Sequence, residues 1–528
     1  MTSAADVFGE HRPEIPYAPL AELLADYRER HPDKLAIVDV DQEKSISFGA
    51  LEAATTDIAA ALKERGVAKG SRVLLLAEEN LEKLLLWFGI WRLGAVVAPL
   101  NVELNAAFIA DLAATISPAL TLVHKDLDGN ALLQGKPFMR FGDFPAKPSG
   151  SDPQDSFFCA MPRGVTPRNI PERNDAADLA CIFCTSGTTS RPKLVVYDHC
   201  AYWLNGLSTL ECLGLSADDR TLEYRSFGWN SAQVLSLMPF LEKGLTLHIA
   251  RRFSQSRFFE WIERYGITFA AGVPTVINML LNREPDHAAL KVPSCLRLMT
   301  CSTAPLTLEQ WRRFEDMYGV KLLQMYGMSE AGWLAGNRHY RNKLGTVGLP
   351  AVHQELEIVD SEGKPCPRNV EGEVTAGGPH CAIGYMREDG TIEPIRGKRI
   401  KSGDLAVMDE DGFIHVSGRT KDLIIRGGIN IAPLEIDQVL LRHPGILDAA
   451  AVGVPDPIQG EEVICYVVPR PGIELTATAV AEHCRACLPV QKTPKQVFIV
   501  SSLPKSDRGK VLRDKLKDDW KARSMLST

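Results

Sequence analysis

The run Thr185-Ser-Gly-Thr-Thr-Ser-Arg-Pro-Lys193 concentrates more chemical capacity than any other window of this 528-residue chain. Its nine residues hold five hydroxyls, a glycine, a proline and two cations. Apolar, strand-like stretches flank it, Leu179-Ala-Cys-Ile-Phe-Cys184 before and Leu194-Val-Val-Tyr197 after. A small-residue loop between two buried strands can bend its backbone N–H groups toward one point. Hydroxyls and a lysine added there make a cradle for polyphosphate. It is not the common Walker loop, which has a second glycine directly before the lysine, where Pro192 stands here.

Further motifs follow in order. The window resembles the phosphate loop of the AMP-forming adenylating enzymes, a superfamily of acyl- and aryl-CoA synthetases, peptide-synthetase adenylation domains and luciferases. Tyr326-Gly-Met-Ser-Glu330 resembles that superfamily's adenine and magnesium motif. Ser402-Gly-Asp404, Gly418-Arg-Thr-Lys-Asp422 and Gly427-Gly-Ile-Asn-Ile431 resemble its ribose, hinge and thiol-tunnel elements. Leu503-Pro-Lys-Ser-Asp-Arg-Gly-Lys510 resembles its catalytic-lysine loop, so the likeness covers nearly the whole chain.

The resemblance implies a reaction in two halves. A carboxylate attacks the α-phosphate of ATP to give an acyl-adenylate and pyrophosphate, and a thiol then displaces AMP. The first half gathers negative charge, which calls for cations, a metal and oriented donors. Thr185, Ser186, Gly187, Thr188, Thr189 and Lys193 match the loop that holds the β- and γ-phosphates. Ser190 and Leu194 stand where the pattern has glycines, and altered loop mobility is the expected result. Glu330 is the implied Mg²⁺ ligand, because a hard cation on phosphates takes one carboxylate and keeps its waters. Ser329 keeps the hydroxyl of a commoner threonine. Tyr326 is expected flat against adenine, with Ser302, Thr303 and Ala304 on the base's other side. Asp404 and Arg419 are expected on the ribose, and Lys510 on the carboxylate and bridging oxygen.

For the acyl pocket the resemblance implies Trp229 beside the substrate carboxylate and Gly272 and Val273 in its wall. Met325 and Trp333 are expected to close the far end. Acetyl-CoA synthetases place a tryptophan where this chain has Gly327, so the glycine is expected to leave room for an acid larger than acetate. Lys421 matches the hinge of a mobile lid, and Gly428 the glycine that a pantetheine arm passes. The expected cofactors are ATP, Mg²⁺ and coenzyme A. A separate carrier protein is the alternative acceptor, and an inactive nucleotide-binding regulator is the rival from another class.

These residues need a large scaffold. The length exceeds what one core supports, so two or more domains are expected. The net charge of −7 and pI near 6.0 argue against nucleic acid as a main partner. Met1-Thr-Ser-Ala-Ala-Asp6 has neither the basic start nor the apolar core of a signal peptide. Leu84–Trp91 is too short to span a bilayer. Twelve scattered cysteines suit reduced thiols, and a cytoplasmic protein, monomeric or homodimeric, is expected. The pairs Cys181/Cys184 and Cys484/Cys487 have no nearby partners for zinc and read as packing residues.

Helix and strand patterns alternate through the first hundred residues. Ser47 is placed to cap a helix over Leu51, Ile58 and Leu62, Arg72–Leu76 reads as a strand, and Glu79–Leu93 as a helix. The alternation predicts parallel-rich sheets covered by helices. Residues 145–175 read as a long connection. Short strands with glycine turns from about Gly345 to Ser417 suggest a small β-barrel-like part. A small α/β lid follows, giving an expected division at 1–420 and 421–528.

Overall fold

The computed structural model describes residues 16–145, 157–165, 174–185, 192–282, 293–304, 306–505 and 510–526. It is a mixed α/β protein with two large, parallel-rich sheets. In the nine-stranded sheet, Lys321–Met328, Leu298–Cys301, Phe269–Ala270, Arg220–Glu223, Thr246–Ile249 and Leu35–Asp39 lie side by side and parallel. The antiparallel strands Gly332–Gly336 and Leu349–Pro350 extend one edge, and Lys44–Ser47 the other. The eight-stranded sheet runs parallel through Met139–Phe141, Leu120–His124, Arg72–Leu76, Val96–Pro99 and Leu179–Cys184. It then turns antiparallel through Leu194–Asp198, Gly384–Met386 and Ile392–Pro394.

Helices Leu81–Arg92 and His199–Leu213 each touch strands of both large sheets. Every residue of the first helix is buried, as its all-round apolar sequence demands. Its three charged residues must therefore be paired. Lys83 meets Glu79 at 2.6 Å, Glu82 meets Lys44 at 2.8 Å, and Arg92 meets Glu52 at 2.8 Å. Helix Phe48–Glu64 begins as expected, with the Ser47 hydroxyl accepting from the Ala50 N–H. Among the described residues no helix is long and apolar enough to cross a membrane.

The glycine-rich stretch folds as a four-stranded antiparallel sheet of Glu355–Val359, Gly372–Gly377, Ile400–Met408 and Ile414–Arg419. A 3₁₀ turn, Thr420–Asp422, follows, and the next strand starts at Ile424. A five-stranded sheet then packs with helices Pro433–Leu441, Ala477–Cys487 and Arg513–Leu526. Cys181, Cys184 and Cys484 are buried as packing residues, whereas Cys487 is exposed because the end of its helix turns it outward.

One buried ion pair fixes the hairpin of Lys321–Met328 and Gly332–Gly336. Just past it, the fully buried Arg338 guanidinium meets Glu211 of helix His199–Leu213 at 2.9 Å. The same guanidinium donates to the carbonyls of Gly336, Leu349 (2.7 Å) and Pro350 (2.8 Å). Removing it leaves the buried Glu211 carboxylate without its cation, with the Tyr340 hydroxyl still donating, and takes a donor from three carbonyls at once. Arg338→Ala is expected to cost about 3–5 kcal/mol in guanidinium chloride unfolding. Arg523→Ala, which breaks an exposed pair with Asp519 one helical turn away, should cost no more than about 0.5 kcal/mol. Equal, small shifts in the two variants would disprove the role given to Arg338.

Candidate active site

A cleft of 1450 Å³ opens where the large sheets, the four-stranded sheet and the C-terminal elements meet. Trp229, Tyr326, Glu330, Asp404, Arg419 and Lys510 all line it, although they span most of the sequence. Asp404 and Arg419 are cross-strand partners in the four-stranded sheet, and the arginine Nε lies 2.8 Å from the Asp404 carboxylate. The Tyr326 hydroxyl donates to the same carboxylate at 2.6 Å. Burial and the Asp404 charge push the Tyr326 pKa well up, so this hydroxyl stays a donor. Two donors leave a carboxylate with free lone pairs, so Asp404 retains acceptor capacity for a ligand.

Lys510 comes to this cluster from the C-terminal unit. The segment on either side of it is tied at its base, with the Leu512 N–H donating to the Pro504 carbonyl at 2.9 Å and Lys505 bridging Val511. Arg513 then anchors the last helix through Asp437 at 2.5 Å. Burial, with the Arg419 guanidinium and the Lys421 ammonium close by, pulls the Lys510 pKa down to about 8 against the opposing Asp422 and Asp404. An ammonium held near its own titration point beside two other cations is suited to receive negative charge.

The Thr185–Lys193 window starts from a closed neck. The Thr185 N–H donates to the Lys193 carbonyl at 2.8 Å, and the Lys193 N–H to the Thr185 hydroxyl at 3.1 Å. Ser186, Gly187, Thr188, Thr189 and Ser190 lie outside the described residues. Leu194 belongs to the strand rather than the loop: it is buried, in the same apolar cluster as Met386. That replacement therefore bears on packing and not on loop mobility.

Lys193 and Glu330 converge on a residue that sequence reasoning missed. The Lys193 ammonium sits 4.8 Å from the centre of the Tyr385 ring, and the Tyr385 hydroxyl donates to Glu330 Oε1 at 2.7 Å. Glu330 is also held through its backbone, whose carbonyl accepts from the Ala382 N–H at 2.9 Å. Beside it, the Ser329 carbonyl accepts from the Tyr197 hydroxyl at 3.1 Å. Nothing in the isolated Gly384-Tyr-Met386 marks the tyrosine, because its partners are set by strand pairing.

Trp229, Met325 and Trp333 also line the cleft. Trp229 precedes a helix with a π turn at Gln233–Leu237, a local widening common at functional sites. Buried Glu79, also missed, holds the approach to Trp229. One of its oxygens accepts from Lys83 at 2.6 Å, the Ser226 hydroxyl at 2.9 Å and the Phe227 N–H at 3.0 Å. Asn205 fixes Trp333, accepting from its backbone N–H at 2.8 Å.

Three expectations need correction or addition. Gly327 lines the cleft, and a Cβ on it would lie 2.3 Å from the Gly332 carbonyl oxygen, so this glycine also permits a close backbone approach. Gly272 is likewise pressed on the Thr300 carbonyl, 2.2 Å from where its Cβ would be. Val273 packs against the apolar core, and the cleft wall begins only at Pro274 and Thr275. Ser302 is fully buried beneath the wall, while Thr303 and Ala304 line it. Thr303 has φ +73°, a costly conformation for a β-branched residue and a sign of local strain.

Gly428 and Lys421 stand apart from the cleft lining. Gly428, with φ +82°, turns the hairpin of Ile424–Arg426 and Ile429–Ile431, and nothing lies within 4 Å of where its Cβ would be. Ile425 and Ile429 beside it are 54% and 43% exposed. Lys421 occupies the turn between the four-stranded and five-stranded sheets.

The chain is similar to known proteins along nearly its whole length. A sulfoacetate–CoA ligase of Cupriavidus necator is 32% identical over 511 residues, covering 96% of this chain and 98% of its own. An oxalate–CoA ligase of Arabidopsis thaliana is 30% identical, covering 94% and 97%. The crystal structure of ATP-bound MatB from Rhodopseudomonas palustris superposes with a TM-score of 0.83 at 26% identity, covering 95% and 99%. Residues 24–386 match the AMP-binding enzyme family, and residues 435–510 match the AMP-binding enzyme C-terminal domain. The chain belongs to the AMP-binding enzyme family.

Proposed function

We propose that the protein is an AMP-forming acid–thiol ligase that activates a carboxylic acid as its acyl-adenylate and passes the acyl group to coenzyme A. The observation that carries this reading is the meeting of Lys510, from the C-terminal unit, with Tyr326, Asp404 and Arg419 at one cleft. The CoA ligases among its relatives support the choice of acceptor.

In this reading Asp404 accepts from the ribose hydroxyls while Tyr326 and Arg419 hold its carboxylate in place. Thr303 and Ala304 flank the base opposite Tyr326. Lys193, with the hydroxyls of the phosphate loop, receives the departing pyrophosphate. Glu330 fits a single-carboxylate magnesium site, since it lines the cleft and shares Tyr385 with the Lys193 ammonium. Bound there, Mg²⁺ would neutralise phosphate charge. Lys510 donates to the oxygens on which charge builds as the carboxylate attacks, a contact stronger in the transition state than before it. The acid lies between Trp229 and the Met325–Trp333 wall. The 1450 Å³ of the cleft supports a substrate larger than acetate, with Trp333 in its wall. We place the boundary of the moving unit at Lys421 and the passage of the thiol at Gly428.

Incubation with ATP, CoA and a graded panel of alkyl and aryl acids tests this reading. AMP and acyl-CoA should form together, with acetate a poor substrate. Lys510→Ala should slow adenylate formation by on the order of 10²-fold or more while sparing thioester formation from supplied acyl-adenylate. Equal loss of both half-reactions would mark the residue as structural.

The lowered pKa gives a signature with a definite sign. Lys510 is charged below about pH 8 and neutral above it. The kcat/KM for ATP in adenylation should therefore fall as pH rises through about 8. Lys510→Arg, charged throughout, should lose that alkaline fall even if its rate is low. A wild-type profile flat to pH 10 would refute the assignment.

Gly428→Leu is expected to block thioester formation while adenylate still forms, since only a missing side chain leaves the passage open. Lys421→Pro should slow the thiol step more than the first, by restricting the backbone at the turn. Unchanged CoA turnover in Gly428→Leu would remove both the passage and the preference for CoA.

A further inference from the structure

Tyr385 is reached by strand pairing. Strand Gly384–Met386 lies antiparallel to Leu194–Asp198, with Tyr385 opposite Val195 and Met386 opposite Leu194. Alternation along a strand sends neighbouring side chains to opposite faces. Met386 and Leu194 share an apolar cluster on one face, so Tyr385 is turned to the other, where it lines the cleft. There its ring lies 4.8 Å from the Lys193 ammonium and its hydroxyl 2.7 Å from Glu330.

We propose that Tyr385 is a positioning residue, its hydroxyl aiming the Glu330 carboxylate and its ring aligning the Lys193 ammonium. The two contacts use different parts of the side chain. An aromatic face attracts a cation through its quadrupole, and a phenol is a good donor to a carboxylate. One tyrosine thus sets the separation between the groups assigned to the metal and to the phosphates. The inference rests on the adenylating reading of the cleft.

The separation of roles makes the test specific. Tyr385→Phe removes the hydroxyl and keeps the ring, whereas Tyr385→Leu removes both. Binding of α,β-methylene ATP, which is not cleaved at the α-phosphate, can be followed by calorimetry with and without Mg²⁺. In Tyr385→Phe, affinity with Mg²⁺ should fall about tenfold, as for other residues that orient a metal ligand, and affinity without Mg²⁺ should hold. In Tyr385→Leu, affinity should fall in both conditions. In a Glu330→Gln background, Tyr385→Phe should add no further loss, because the group it aims has gone. Equal binding by wild type and Tyr385→Phe with Mg²⁺ would overturn the role of the hydroxyl. Unchanged metal-free binding in Tyr385→Leu would overturn the role of the ring. Failure of the wild-type protein to bind the nucleotide at all would instead defeat the adenylating reading.

Discussion

Two helices without a water face, Leu81–Arg92 and His199–Leu213, impose the constraint on which this structure depends. Each lies against both large sheets, so every charge they carry must find a partner inside the protein. Those partners sit on the segments that shape the cleft. Lys83 engages Glu79, which grips Ser226 and Phe227 ahead of Trp229. Glu211 engages Arg338, just past the hairpin of Tyr326 and Glu330. Asp198, capping the second helix, accepts from Arg396 at 2.8 Å, and that arginine also reaches the Cys381 carbonyl near Tyr385. Neutralising the buried layer and positioning the site are thus one set of interactions.

Contiguous chemistry was legible in the sequence, and juxtaposed chemistry was not. The parallel-rich sheets followed from alternating helix and strand patterns, and strand Arg72–Leu76 has the boundaries its pattern gives. Asp404, Arg419, Tyr326 and Lys510, which line one cleft, were singled out because each lies within a run of neighbours of fixed type. Tyr385, Glu79 and Asn205 have no such runs. Their importance arises from strand register or from helices crossing between sheets, neither of which leaves a local pattern in the chain.

Glycine was the least reliable letter to read. Gly327 suggested space because a large residue elsewhere takes its place, yet its Cβ direction points straight at the Gly332 carbonyl. A missing side chain can serve a neighbouring backbone as readily as a ligand, and sequence does not reveal which side it faces. Gly428 is the opposite case, with open space where a side chain would be. Leu194, which stands where the pattern has a glycine, is buried in its strand and packs with Met386.

The hairpin around Gly428 also has a solvent aspect. Ile425 and Ile429 stand about half in water, and covering an aliphatic side chain of this kind gains on the order of 1 kcal/mol for the area still exposed. Any surface or ligand that closes over this turn collects that gain along with its polar contacts. Water released from aliphatic surface lowers the heat capacity of the system, so such an event should grow more exothermic on warming. The temperature dependence of a binding enthalpy would therefore register closure over this hairpin even where no chemistry follows.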